Sequence, residues 1–327
     1  MNWRLAAVAR VALVVAVVTS GFSRTALAQD AHLLVVTGVS GDDDHAKEFH
    51  DWAAKLIDAA KTKDGLTDAN ITYLAERTEI DPRVKARSTK EGVEKAFADM
   101  AAKVRPGDEV VIILIGHGSF DGKIAAFNLP GPDLTATDWA ALVGKLNGAR
   151  IAFVDLSSSS GAFLQPLSGP GRTVMTATKT GGERLEPKFG RYFVEAFADA
   201  AADADRNGHV SMLEAFNYAN NKVAKDYEQG GLLRTEHAAF EDGAEGKIAG
   251  TMFLTAHPSD GGLAVDRSNP QLSALADERE AIQKQIDALK LQKDSIEPAK
   301  YDAEMEKLLT QLALKTKAIR DAQAPKK

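Results

Sequence analysis

This 327-residue sequence predicts an α/β domain on a mostly parallel six-stranded sheet between helices, followed by a C-terminal helical hairpin or short coiled coil. Three observations carry that reading. Short, nearly continuous apolar runs rich in β-branched residues recur between residues 32 and 256, the pattern of strands buried on both faces. Amphipathic segments of helical period separate them, and strand–helix alternation builds parallel sheets covered on both sides. After Pro270 glycine disappears and Glu, Lys, Gln and Leu dominate.

The six expected strands are HLLVVTG (32–38), ITYLAE (71–76), EVVIILI (109–115), IAFVDL (151–156), RTVMTAT (172–178) and TMFLTA (251–256). Between them, Phe49, Trp52, Leu56 and Ile57 fall on one face of a helix. Val93, Phe97, Met100 and Val104 line a second, and Trp139, Leu142, Val143 and Leu146 a third. Ser88 or Thr89, and Thr137, have the chemistry of N-caps. In the last segment Leu275, Ile282, Leu289 and Ile296 repeat every seven residues. After Pro298, which suits the first turn of a helix, Tyr301, Met305, Leu308, Leu312 and Ile319 keep a three–four spacing. The two helices are expected to pack on each other, with self-association through them as the alternative.

The chain opens with a processing signal. MNWRLAAVARVALVVAVVTSGFSRTALAQD carries basic residues ahead of an apolar stretch, Val11 to Val18, and then Ala26-Leu27-Ala28, the small-x-small pattern of a cleavage site. That stretch is shorter than the roughly 20 residues a membrane span needs. The expected organisation is therefore a signal peptide (1–28), an α/β domain (29–260), a linker (261–270) and a helical hairpin (271–323). The product would be exported, periplasmic or secreted, with no membrane span after cleavage. Net charge is −6, and the leader contributes three arginines and no acid, so the remainder is more acidic still. Nucleic-acid binding needs clustered positive charge, which this balance opposes. The chain has no cysteine. That excludes disulfides, thiolate metal sites and a thiol nucleophile, and leaves stability to a large core.

Two strand ends carry candidate chemistry. EVVIILI runs into Gly116-His117-Gly118-Ser119, and IAFVDL runs into Ser157-Ser158-Ser159-Ser160-Gly161. Open α/β sheets place their sites beyond the carboxyl ends of the strands, and glycine on both sides of His117 permits a sharp turn and close backbone approach. If the two strands are neighbours, His117 and a serine share one rim, as a base–nucleophile pair requires.

An apolar strand ending in GHGS, followed by another ending in SSSSG, resembles the caspase–hemoglobinase fold, and within it the legumain-type cysteine peptidases. The resemblance extends from about His32 to Ala256 and includes the segment NLPGPDLTATDWAALVGKL between the two motifs. It implies a caspase-hemoglobinase-like sheet, with the family's cysteine falling at Ser158, its histidine at His117, and oxyanion-hole N–H groups at Gly118 and position 158. A serine in that position departs from the family. A hydroxyl ionises less readily than a thiol of pKa about 8.5, and spoiling the orienting carboxylate of a serine protease costs on the order of 10⁴ in turnover. Asp121 and Asp155 are the nearest candidate orienters. Three readings of Ser158 stand open: a working serine nucleophile, a relic in a cleft that still binds peptide or protein, or a cap on the helix that follows.

A second motif lies downstream. Asp203, Asp205, Asn207, Gly208, His209, Ser211 and Glu214 reproduce the EF-hand spacing D-x-D-x-N-G-x-V-S-x-x-E. Side-chain oxygens of Asp203, Asp205, Asn207 and Ser211, the His209 carbonyl and a bidentate Glu214 would ligate calcium, with Gly208 making the turn. Helical patterns flank the loop: Phe193 and Phe197 before it, Leu213, Phe216 and Val223 after. The alternative is a polar helix–helix turn with aspartate caps. His45 and His50, in the acidic stretch GDDDHAKEFH, read as surface histidines at the rim, and Arg172, Arg184 and Arg191 as solvated arginines. The functions to be distinguished are a peptidase homologue without a nucleophile, a Ser158–His117 hydrolase, and a calcium-binding envelope scaffold.

Overall fold

The computed structural model describes residues 30–63, 65–242, 248–254, 269–290 and 296–323. The expected signal peptide and nearly all of the linker lie outside the described residues. Among the described residues no helix is long and apolar enough to cross a membrane.

In chain order the elements are β1 (Ala31–Thr37), α1 (Asp43–Thr62), β2 (Ile71–Ala75), β3 (Val84–Arg87), α2 (Lys90–Ala101), β4 (Glu109–Ile115), β5 (Gly118–Phe120), β6 (Ala125–Phe127), β7 (Leu134–Thr135) and α3 (Ala136–Val143). They continue with β8 (Arg150–Asp155), α4 (Leu164–Leu167), β9 (Arg172–Thr176), α5 (Phe189–Ala196), α6 (Met212–Gln229), β10 (Ala239–Glu241), α7 (Pro270–Lys290) and α8 (Pro298–Gln323). Among the described residues the main sheet has seven strands, not the expected six, in the order β10-β9-β8-β4-β1-β2-β3. All pairs are parallel except β10 against β9.

Five of the six expected strands appear. β1 and β4 are buried at every position, because helices cover both of their faces. On one face Val35, Ile113 and Val154 meet α1, α5 and α6 through Phe49, Trp52, Phe193 and Phe216. On the other, Leu34, Ile112 and Phe153 meet α2 and α3 through Phe97 and Trp139. Of the sixth expected strand, TMFLTA, residues 251–254 are described and form no strand. Residues Ala249–Thr251 form a 3₁₀ turn, held by the Asp242 carboxylate accepting from Ile248 N and Ala249 N. Met252 uses its carbonyl to accept from Met212 N at 2.8 Å, so its backbone is tied to α6 and not to a strand. The additional strands β3 and β10 are short edge strands, and β5–β7 form a separate three-stranded sheet.

Thr89 caps α2 as expected. The cap of α3 is Thr135, not Thr137: its hydroxyl accepts from Asp138 N, while the Asp138 carboxylate accepts from Thr135 N. From Thr137 the third position on is Ala140, which has no carboxylate to return the bond. At the C-terminus α7 and α8 pack on each other through Ile282, Ile286, Leu289 and Leu308, with Pro298 opening α8.

The strand order also fixes where a ligand would sit. β1 and β4 are neighbours, yet β1 leads into α1 on one face and β4 into the small sheet and α3 on the other. Connections leaving adjacent strands toward opposite faces open a crevice at their carboxyl ends.

Candidate functional site

His117 stands at that crevice, two residues beyond the end of β4. Gly38 N donates to Ile115 O at 2.9 Å, bringing the turn after β1 against the turn after β4. A Cβ on Gly116 would lie 3.2 Å from the Gly38 backbone, so glycine permits the approach. The His117 ring turns toward the β1 side. Its Nε2 lies 3.2 Å from Ser40 O. A carbonyl only accepts, so Nε2 carries the proton and donates, leaving the Nδ1 lone pair as the basic position. The ring also packs edge-on against Phe49 and His45 of α1, with centroids 5.2 and 4.9 Å away.

His45 is part of this rim and not a free surface histidine. Its Nδ1 lies 2.7 Å from Asp42 and its Nε2 3.1 Å from Glu186. Those hydrogen bonds, to Asp42 first and Glu186 second, raise its pKa above the ordinary value. The pair of bonds spans from the start of α1 to the loop between β9 and α5. His50 faces Tyr73 and Asp81 instead.

β4 and β8 are adjacent, with Leu114 opposite Asp155, so the serines emerge beside His117-Gly118. The four hydroxyls do different things. Ser157 is fully buried and donates to Asp155 Oδ1 at 2.6 Å. Ser158 Oγ donates to Gly118 O at 3.1 Å and lies 3.4 Å from Gly118 N. Ser159 has a left-handed backbone, φ +59°, although it is not glycine, a strained conformation of the kind stored at functional turns. Its N–H donates to Glu183 O at 2.8 Å, but its side chain makes no capping bond to the 3₁₀ turn that follows. Ser160 pairs with Thr178 at 3.2 Å. The glycines close the fit: a Cβ on Gly118 would lie 2.2 Å from Ser158 O, and one on Gly161 2.2 Å from the Lys179–Thr180 peptide.

Neither expected orienter reaches His117. The Asp121 carboxylate accepts from the N–H groups of Lys123 and Ile124 in its own turn. Asp155 is fully buried beneath Ser157; burial pushes its carboxyl up to about 6, against the two hydrogen bonds from Ser157. What orients His117 is the backbone carbonyl of Ser40. Of the arginines, Arg172 donates to Leu167 O and Arg191 lies over the Tyr192 ring.

The acidic loop joins α5 to α6. Oxygens of Asp203, Asp205 and Glu214 lie within 4.8 Å of one another. Asp203 accepts from Asn207 N and Gly208 N, and the Asn207 side chain from His209 N. Ser211 is the N-cap of α6, locked with Glu214 in a capping box. Burial raises the Glu214 carboxyl, and Lys290 of α7 pairs with Asp205 at 2.7 Å. The His209 ring turns away, toward Phe253.

The fold and rim thus define an α/β protein with a mostly parallel seven-stranded sheet and a His–Ser rim at its topological switch point. No family model matches the sequence, and no curated protein does. Among solved structures the chain is similar to the protein GSU0716 from Geobacter sulfurreducens, at 13% identity and a TM-score of 0.40, over 65% of this chain and 94% of that one. It is also similar to drICE, at 9% identity and a TM-score of 0.38, over 65% of this chain and 87% of that one.

Proposed function

We propose that the chain is an exported homologue of the legumain-type, caspase-like peptidases that has lost its nucleophile and holds a peptide or protein segment in the crevice between β1 and β4. One observation carries the reading: the Ser158 hydroxyl donates to Gly118 O, while the proton on His117 Nε2 is committed to Ser40 O. A serine nucleophile needs its hydroxyl bonded to a base that a third group orients. Here the hydroxyl donates to backbone and not to the imidazole, and among the described residues the group behind the imidazole is the neutral Ser40 carbonyl and not a carboxylate. The test is fluorophosphonate labelling of the full chain beside a peptide-library binding screen. No labelling at Ser158, with peptide binding that survives Ser158→Ala, supports the proposal. Labelling abolished by Ser158→Ala would establish the rival serine hydrolase, which the strained Ser159 favours.

A second reading concerns the acidic loop. Three carboxylates with converging oxygens form a hard donor set that suits calcium. Asp203, Asp205, Asn207, Ser211, Glu214 and the His209 carbonyl would hold the ion, which would neutralise their mutual repulsion. A calcium-binding scaffold, with partners or self-association at α7 and α8, is the corresponding function. Deletion of residues 270–327 that abolishes partner capture while leaving peptide binding intact would favour it.

A further inference from the structure

A cavity of about 470 Å³ opens at the other end of the sheet, where β1, β2 and β3 begin and α2 crosses them. Its size lies within the roughly 300–1,000 Å³ of small-molecule pockets. Small side chains leave the space unfilled: Gly92 and Ala96 on α2 face Ala86 on β3, with Leu74 and Met100 completing an apolar floor. Gly92 pins one end of the helix, because a Cβ there would lie 2.1 Å from Arg87 O.

The rim has a charge sign opposite to that of the whole chain. Two carboxylates line it, and both are neutralised: Asp68 pairs with Lys61 and Asp99 with Lys95, each at 2.7 Å. Lys85 and Lys103 also line it, and neither has an ion pair within 4 Å among the described residues. Behind the floor lies buried His32, whose Nε2 is 3.8 Å from a carboxylate oxygen of Asp108, a residue that does not line the cavity. Burial holds that imidazole below its ordinary pKa, so it adds no charge to that of the rim lysines. An apolar floor and a rim on which three lysines outnumber two aspartates describe a receptor for a molecule with an apolar body and a single negative head.

We propose that this cavity is a binding site for a small amphiphilic monocarboxylate, its tail on the floor under α2 and its carboxylate among the rim lysines. The site is independent of the His117–Ser158 crevice, which lies at the opposite, carboxyl ends of the strands.

Isothermal titration of the full chain with octanoate tests it, with octanamide as the neutral match. Saturable 1:1 octanoate binding is expected, with octanamide weaker by about tenfold or more, the worth of one charge-assisted contact. The double variant Lys85→Ala/Lys103→Ala should lose that preference, and Ala96→Leu, which fills the cavity, should abolish binding of both. Ser158→Ala should change nothing. Absence of saturable binding, equal affinity for acid and amide, or binding indifferent to Ala96→Leu would each overturn the assignment.

Discussion

Asp155 gives the sharpest prediction, because its environment is one-sided. It is fully buried on β8; among the described residues Ser157 alone donates to its carboxylate, twice and both times to Oδ1, and Oδ2 has no partner. Burial therefore dominates and raises the carboxyl from 3.8 to about 6. The folded chain keeps the proton to higher pH than the unfolded chain. Between about pH 4 and 6 the unfolded state binds fewer protons, so stability falls as pH rises through that window and levels off above it. At 1.36 kcal/mol per pKa unit, the penalty above pH 6 is about 3 kcal/mol. Asp155→Asn cannot ionise and keeps an oxygen to accept from Ser157. Any fixed loss from the new amide is the same at every pH. Glu214, Glu236 and Asp242 are also raised by burial, but they are common to both proteins and cancel in the difference. Urea unfolding at pH 4, 5, 6 and 7 should therefore show the stability of Asp155→Asn relative to the parent rising by about 2 kcal/mol across the series, the remainder of the penalty being present already at pH 4. Parallel curves would refute the reasoning: they would mean that Asp155 is hydrated, or paired with a cation, in the folded protein.

Three further outcomes follow from the same geometry. Gly118→Ala places a methyl 2.2 Å from a backbone oxygen that no rotamer can move; a loss near the upper end of the 1–3 kcal/mol typical of overpacking is expected, against a change of roughly 0.5 kcal/mol or less for Gly182→Ala, whose nearest neighbour would be 3.5 Å away. If the α5–α6 loop holds calcium, 1 mM of the ion should raise the melting temperature, and Glu214→Gln should remove the rise; an identical rise in the variant would count against the loop. His45→Gln breaks the link from Asp42 to Glu186, and faster proteolysis within residues 177–188 is expected; an unchanged cleavage pattern would mean that the loop is held by its other bonds.

What the sequence disclosed depended on burial. β1 and β4 are long and covered on both faces, so their composition alone marks them. β3 and β10 are four and three residues long at the sheet edges, largely exposed and partly charged, and leave no periodic trace. TMFLTA has a strand's composition because Met252, Phe253 and Leu254 are buried, yet burial in a turn and burial in a sheet select the same residues. The cap at Thr135 was legible in principle from Asp138 three positions on. The neighbourhood of His117 and Ser158 followed from strand adjacency and glycine placement. The Ser40 carbonyl did not, because a backbone group has no residue type to give it away. His45 reaches the rim only because α1 crosses back over the end of β4, which no local pattern records.

The Ser158→Cys variant separates the loss of one atom from the loss of a site. Ser158 Oγ is held now by donation to Gly118 O. A thiol is a weak donor and would be released from that bond more readily. Gly118 N already lies 3.4 Å from the oxygen, and a backbone N–H favours a thiolate beside it, as does an imidazole able to accept the proton. If the crevice retains that preference, iodoacetamide should alkylate the variant with a midpoint below about 8.5, the value of a free thiol. Replacing His117 by Gln in the same background should move the midpoint upward. A midpoint at or above 8.5 that ignores His117 would show that the imidazole serves only to fasten the turn after β1. The proton on Nε2 would then be structural, and the crevice would have no base to offer either nucleophile.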